Sequence, residues 1–177
     1  MINIGIDFGS TYTLVSVYRK DTNVLETLSL DQGAPYIPSV VAFDEKRKRF
    51  EFGKAAKSHT GKKGANIYKA FKMILTEPKD SRNLKERGFD YQNTPEKIAS
   101  VFLEDVLKKV LADMDEDRIE NLVIGVPEIW NEGFKTVDGR SIVRNICQNI
   151  DFVENVQVVS EPAAASAYFA YNYYLSK

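Results

Sequence analysis

The chain has 177 residues, 44% of them apolar, and a formal net charge of −1 at pH 7. That size allows one domain or two small ones around a sizeable core, and the balanced charge leaves no electrostatic footprint for nucleic acid or an anionic membrane. The single cysteine, Cys147, cannot form an internal disulfide, so a reducing, cytoplasmic compartment is expected. The start MINIGIDFG lacks a basic leader and reads as a strand rather than a signal peptide. No apolar run approaches membrane-spanning length, so a soluble protein is expected.

Three extended segments come first, 3–8, 13–19 and 24–30, with apolar or β-branched residues in partial alternation, and they predict a β-meander. QGAPYIPS, Gln32 to Ser39, is a Pro and Gly cluster that predicts a change of direction at a subdomain boundary. SVVAFDE and RFEFG predict a second hairpin. Its tip is the basic run EKRKR, Glu45 to Arg49, for which a solvated turn is a better explanation than nucleic-acid contact. Ile67, Phe71, Ile74 and Leu75 fall at helical spacing with Lys69 and Lys72 on a different face, which predicts a helix over 66–76. The charged stretch 79–92, punctuated by Gly88, reads as a loop or an irregular excursion.

Thr94-Pro95-Glu96 supplies a capping side chain, a proline for the first turn and an acid at the positive end of a helix dipole. Ile98, Phe102, Val106 and Val110 then recur at four-residue steps and predict a long amphipathic helix. NLVIGVP (121–127) and VQVVSEP (156–162) are short apolar runs of buried-strand type, separated by a helix over about 139–150. The Ala-rich, aromatic segment AAASAYFAYNYYLSK predicts a last helix. The order gives an α/β fold, a mixed sheet flanked by helices with an inserted smaller α+β subdomain. No internal repeat is visible.

The turn between the first two strands is richer than a hairpin requires. Gly9, Ser10, Thr11 and Tyr12 offer backbone N–H groups and hydroxyls that suit phosphate oxygens, and Asp7 at the edge is placed to hold a cation. Asp7 and Glu161 both close apolar strands, and ligands collect outside the C-terminal ends of such strands. One carboxylate there can organise Mg²⁺ while the other orients or deprotonates a water. Glu161-Pro162 fits the plain start of a helix equally well, and spacing alone leaves that open. Lys72, taken alone, reads as a solvated lysine. His59, in KSHTGKK, has no Cys or second His beside it and reads as a surface histidine, and Cys147 reads as a small buried hydrophobe. No Ser-His-Asp arrangement and no P-loop is present.

Together these stretches resemble the seventy-kilodalton heat-shock chaperones, whose nucleotide-binding domain has the actin-like, ribonuclease H-like ATPase fold. GIDFGSTYT looks like the family's first phosphate loop and IPSVVAF like the segment after its opening meander. GKAAK followed by KAFKMIL looks like the helix with its catalytic lysine. NLVIGVP resembles the strand that ends in its switch proline, and VSEPAAASAY the corner with its catalytic glutamate. The five occur in the family's order across nearly the whole chain.

The resemblance implies catalytic roles for Asp7, Lys72 and Glu161. Asp7 would hold Mg²⁺ through its waters and Gly9, Ser10, Thr11 and Tyr12 would surround the β- and γ-phosphates of ATP or ADP. Lys72 would contact the γ-phosphate, Glu161 would position the attacking water, and Pro127 would be the switch. It also implies client polypeptides, co-chaperones and a part in the stress response and protein folding for the longer parent. The segment EIWNEGFKTVDGR departs from the family pattern, so either Arg140 or Arg144 is the candidate partner of Pro127.

A second departure is larger: the family's ATPase has a second lobe with another glycine-rich loop, and past Gly139 this sequence has no glycine. The reading is therefore a first lobe that lacks its partner lobe. Its core subdomain would be 1–32 with 94–177, and its inserted, more mobile subdomain 33–93. Alone it should bind nucleotide weakly and lack turnover. The alternatives are a non-catalytic interaction module on the same fold, or a sugar or acetate kinase of the actin-like superfamily.

Overall fold

The apolar residues at positions 2, 4, 6 and 8 make β1 (Ile2–Phe8) a strand with one buried face. The computed structural model describes residues 2–20, 22–130 and 137–175. β2 (Tyr12–Arg19) returns antiparallel to β1, and β3 (Val24–Thr27) pairs antiparallel with β2. Within the Pro and Gly cluster a two-residue strand, β4 (Ile37–Pro38), adds to β2 opposite Tyr12 and Thr13. Beyond Ser39 the chain enters a separate three-stranded sheet made of β5 (Val40–Asp44), β6 (Arg49–Phe52) and, after the short helix α1 (Gly53–Lys57), β7 (Ala65–Lys69). The basic run is the turn between β5 and β6, where Asp44 Oδ1 accepts from the Lys46 and Arg47 N–H groups at 2.9 and 3.0 Å.

A single 3₁₀ turn, Phe71–Ile74, and a five-residue helix, α2 (Arg82–Glu86), lead to α3 (Pro95–Met114). α3 starts as its sequence dictates, with Thr94 Oγ1 accepting from Lys97 N at 3.2 Å, and stops where Asp115 turns left-handed. Its expected stripe is fully buried: Ile98, Phe102, Val106 and Val110 have no exposed surface. Each such side chain adds about 2 kcal/mol of burial, far more than helix propensity supplies. β8 (Ile119–Val126) lies parallel to β1, and α4 (Gly139–Gln148) crosses to β9 (Val153–Ser160), parallel to β8. α5 (Glu161–Leu175) begins at the residue after β9 and leaves Pro162 to Tyr168 exposed. The large sheet has the order β3-β2-β1-β8-β9, with β4 beside β2. A mixed sheet flanked by helices and a smaller α+β insertion are therefore present as expected.

One expected element is replaced. In place of a helix over 66–76 stand β7, a left-handed residue and one 3₁₀ turn. Ile67 and Tyr68 pair with Ala42 and Val41 of β5, and Ala70, at φ 49° and ψ 31°, breaks the strand. Short apolar runs fit either period, and here the pairing partner in β5 decides. The stretch 79–92 is also not all loop, since Ser81 Oγ caps α2 by accepting from Asn83 N. The third strand ends at Thr27, short of the expected Leu30.

Candidate functional site

Strands β1, β8 and β9 run the same way, so their C-terminal ends form one edge, along which Asp7, Gly125 and Val159 stand in register. Glu161 follows two residues after Val159. Gly125 stands between them, where a Cβ would meet Glu161 Cγ in ordinary contact at 3.7 Å. Lys72 comes from the 3₁₀ turn of the insertion. Its ammonium is ion-paired with Glu161 Oε1 and sits 5.6 Å from the centroid of the Phe8 ring. Lys72 is therefore not the solvated lysine that its position alone suggested. Its side chain is 3% exposed, that of Glu161 41%. A buried amine needs a partner and an apolar bed, and Glu161 and Phe8 supply them.

Asp7 completes the cluster. Asp7 is exposed as a residue, but partial burial of its carboxyl pushes it above the ordinary aspartate range, Lys72 pulls it back, and the charge of Glu161 pushes it up again. Two carboxylates and one fixed ammonium at an open strand edge can hold a hydrated cation, bind an anion at the amine, and accept a proton from water.

The hydroxyl-rich turn is tightly curled. A Cβ on Gly9 would fall 2.0 Å from the Tyr12 carbonyl oxygen, so only glycine fits. Gly9 and Ser10 are partly buried and Thr11 and Tyr12 exposed; Tyr12 is already the first residue of β2 and packs edge-on against Tyr36 at 4.8 Å. Ser39 holds this turn from behind. Its N–H donates to Thr11 O at 2.9 Å and its hydroxyl to Gly9 O at 2.7 Å, while Thr13 Oγ1 lies 3.0 Å from Ser39 Oγ. Neither is singled out as a site residue in the sequence, although Thr13 closes the loop stretch GIDFGSTYT and Ser39 lies in IPSVVAF. Gly125 had one signal, a glycine inside a buried strand, which marks close approach.

Pro127 follows β8, and its carbonyl accepts from Trp130 N at 3.1 Å, closing a 3₁₀ turn. Trp130 is buried, and a Cβ on Gly139 would lie 2.5 Å from its indole and 2.9 Å from Thr76 Cγ2. The rest of the unusual segment, residues 131–136, lies outside the described residues. Of the two arginines, Arg140 reaches β9, donating from Nη2 to Val158 O at 2.9 Å, and Arg144 is exposed. His59 is partly buried, with Nε2 2.6 Å from Glu51 Oε2, so it is more embedded than a free surface histidine. Burial pushes the Cys147 thiol up to about 12, which suits a packing role rather than a nucleophile. No helix among the described residues is long and apolar enough to cross a membrane.

The family model for Hsp70 protein matches residues 3–173. Heat shock cognate 70 kDa protein 3 of Dictyostelium discoideum is 28% identical over 192 residues, covering 94% of this chain and 28% of that protein. Heat shock 70 kDa protein 2 of Paracoccidioides lutzii is 26% identical over 187 residues, covering 92% and 27%. A heat shock 70 kDa protein of Trichophyton rubrum is 28% identical over 151 residues, covering 73% and 22%. The chain thus spans about a quarter of the length of these relatives. A match that runs through the phosphate-loop candidate, the buried lysine and the strand-end acids, on an actin-like α/β fold, shows that the chain belongs to the Hsp70 family.

Proposed function

We propose that the chain is the first lobe of an Hsp70-type nucleotide-binding unit, which takes the phosphates of ATP or ADP with Mg²⁺ and, with a second lobe, hydrolyses ATP to drive a chaperone cycle. The observation that carries this reading is the buried amine of Lys72, ion-paired with Glu161 at the strand edge that also bears Asp7. A non-catalytic interaction module has no need to keep an amine at 3% exposure between two partly open acids.

The residues fit the absent groups. The Gly9 turn is a cradle that a Cβ would fill, and the carboxylates of Asp7 and Glu161 stand close enough at the strand edge to feel one another's charge. A sparse set of one or two carboxylates suits Mg²⁺, which keeps several waters and takes phosphate oxygens. When bound, the ion supplies charge neutralisation to the phosphates. Asp7 would hold the ion through water, and Gly9, Ser10, Thr11 and Tyr12 would surround the β- and γ-phosphates. Glu161 would give up the Lys72 ammonium to the γ-phosphate and, freed from its pair, would orient the attacking water. Pro127 relays the state of the site, with Arg140 rather than Arg144 as its partner, because Arg140 already reaches the strand that leads to Glu161. Residues 1–32 with 94–177 act as the core subdomain and 33–93 as the insertion that delivers Lys72. Client polypeptides and co-chaperones engage the longer protein.

Isothermal titration of Mg-ATP into the chain tests the reading. Weak saturable uptake, lost in Lys72→Ala, is expected because the cleft needs donors from two walls. Equal uptake by wild type and variant would refute the site, and tight uptake by the chain alone would refute the need for a second lobe.

A further inference from the structure

Ser39 occupies a singular place in the chain. It is the one residue between β4, which belongs to the large sheet, and β5, which opens the small one. It is also 2% exposed, and Thr13 beside it is fully buried. The direction of the hydrogen bonds follows from valence. The Gly9 carbonyl can only accept, so the Ser39 hydroxyl spends its proton there, and the Thr13 hydroxyl must donate to Ser39 Oγ. The result is a directed chain, Thr13 to Ser39 to Gly9, in which each bond polarises the next. The Ser39 N–H adds a third tie, to Thr11 O. Three hydrogen bonds thus converge on the residue that joins the sheets, and two of them end on carbonyls of the candidate phosphate loop.

We propose that Ser39 is a positioning residue for that loop and couples it to the inserted sheet. By fixing the Gly9 carbonyl it sets the curl in which the Tyr12 carbonyl closes on Gly9. Because Ser39 is covalently the start of the path into β5, any change of loop shape on taking up phosphate is felt by the small sheet, and the reverse holds by linkage. This rests on the proposed nucleotide site. The insertion that delivers Lys72 would then sense the loop on which the phosphates sit.

Hydrogen exchange and titration on the whole chain test this, with Mg²⁺-tripolyphosphate as the probe. Ser39→Ala leaves the Gly9 carbonyl and the Thr13 hydroxyl without their partner. Exchange at amides 10–13 should quicken about tenfold in the ligand-free chain, the weight of one hydrogen bond, and uptake of the probe should weaken by a similar factor. Thr13→Val keeps the volume, removes only the outer donor and should give a smaller effect on both, which covers the case of a poorly folding Ser39→Ala. Ile98→Val, a core change elsewhere, should lower the unfolding midpoint and leave loop exchange and uptake unchanged. In wild type the probe should also protect amides of β5 and β7, and in Ser39→Ala it should not. Unchanged loop exchange in Ser39→Ala, or equal protection of β5 and β7 in both proteins, overturns the proposal. Failure of the wild type to take up the probe sinks the nucleotide site instead, while the ligand-free exchange still decides whether Ser39 holds the loop.

Discussion

The two partners of the Lys72–Glu161 pair are unequally buried, and that inequality predicts unequal costs for removing them. Glu161→Ala strands an ammonium at 3% exposure over the Phe8 ring, with only the field of Asp7 left to compensate it. Breaking a fully buried pair costs about 3–5 kcal/mol, and because the Glu161 side chain is 41% exposed the cost here falls to about 2–3 kcal/mol. For a chain of this length that lowers the unfolding midpoint by roughly 5–10 °C. Lys72→Met keeps the apolar stem on Phe8 and removes the buried charge, while the released Glu161 turns to water, so the change stays within about 1 kcal/mol. The double variant should behave like Lys72→Met, since the stranded charge is gone. Thermal unfolding followed by circular dichroism at pH 7 gives all four corners of the cycle. Additive costs, or a Lys72→Met variant as unstable as Glu161→Ala, would refute the buried-amine argument.

Asp7→Asn should raise the unfolding midpoint at neutral pH, because burial holds the Asp7 carboxyl above its ordinary range and disfavours its ionised form in the fold. The sign follows from linkage: the folded state binds the Asp7 proton more tightly than the unfolded chain, so the penalty appears as pH rises through the folded value. The gain should vanish below about pH 4, where both states are protonated, and midpoints measured from pH 3 to 7 check it. Gly9→Ala should cost about 1–3 kcal/mol by overpacking and abolish uptake of Mg-ATP, since the new Cβ would lie 2.0 Å from the Tyr12 carbonyl oxygen; unaltered titration contradicts this. Ala70→Val, at φ 49°, should destabilise by more than about 1 kcal/mol because a β-branched side chain resists the left-handed region, and an unchanged midpoint would show that the turn is not held there.

The large sheet was legible because its strands obey simple patterns: alternation in β1, continuous apolar runs in β8 and β9. α3 was legible twice over, from Thr94-Pro95-Glu96 and from its four-residue stripe. That Asp7 and Glu161 share an edge followed from each closing a strand, although their register through Gly125 depends on sheet order, which no local pattern encodes. Lys72 was misplaced for a physical reason. Its neighbours carry a helical period, the residue that breaks the strand is Ala70 rather than a glycine, and the decisive partner, β5, lies some 25 residues away in sequence. Ser39 was hidden differently: a serine after a proline in a Pro and Gly cluster reads as turn chemistry, and only the packing of β4 on β2 brings its hydroxyl to Gly9.

Rigidity is also distributed unevenly across the site. Phe8, Phe71 and Phe102 pack as a triad with centroids 5.4 to 6.2 Å apart, all fully or nearly fully buried, directly beneath the turn that carries Lys72. The amine therefore has its position set by the core. The two acids stand at open strand ends, where a side-chain rotation costs little. A fixed cation with movable anions is suited to accept an incoming anion: on the proposed reading, phosphate oxygens would take the place of Glu161 at the amine, and the displaced carboxylate would find water without stranding a charge. The converse design, buried acids with a mobile lysine, would select a bare cation and expel phosphate. Burial alone thus favours an anionic ligand at Lys72, and does so from packing that is independent of the family match.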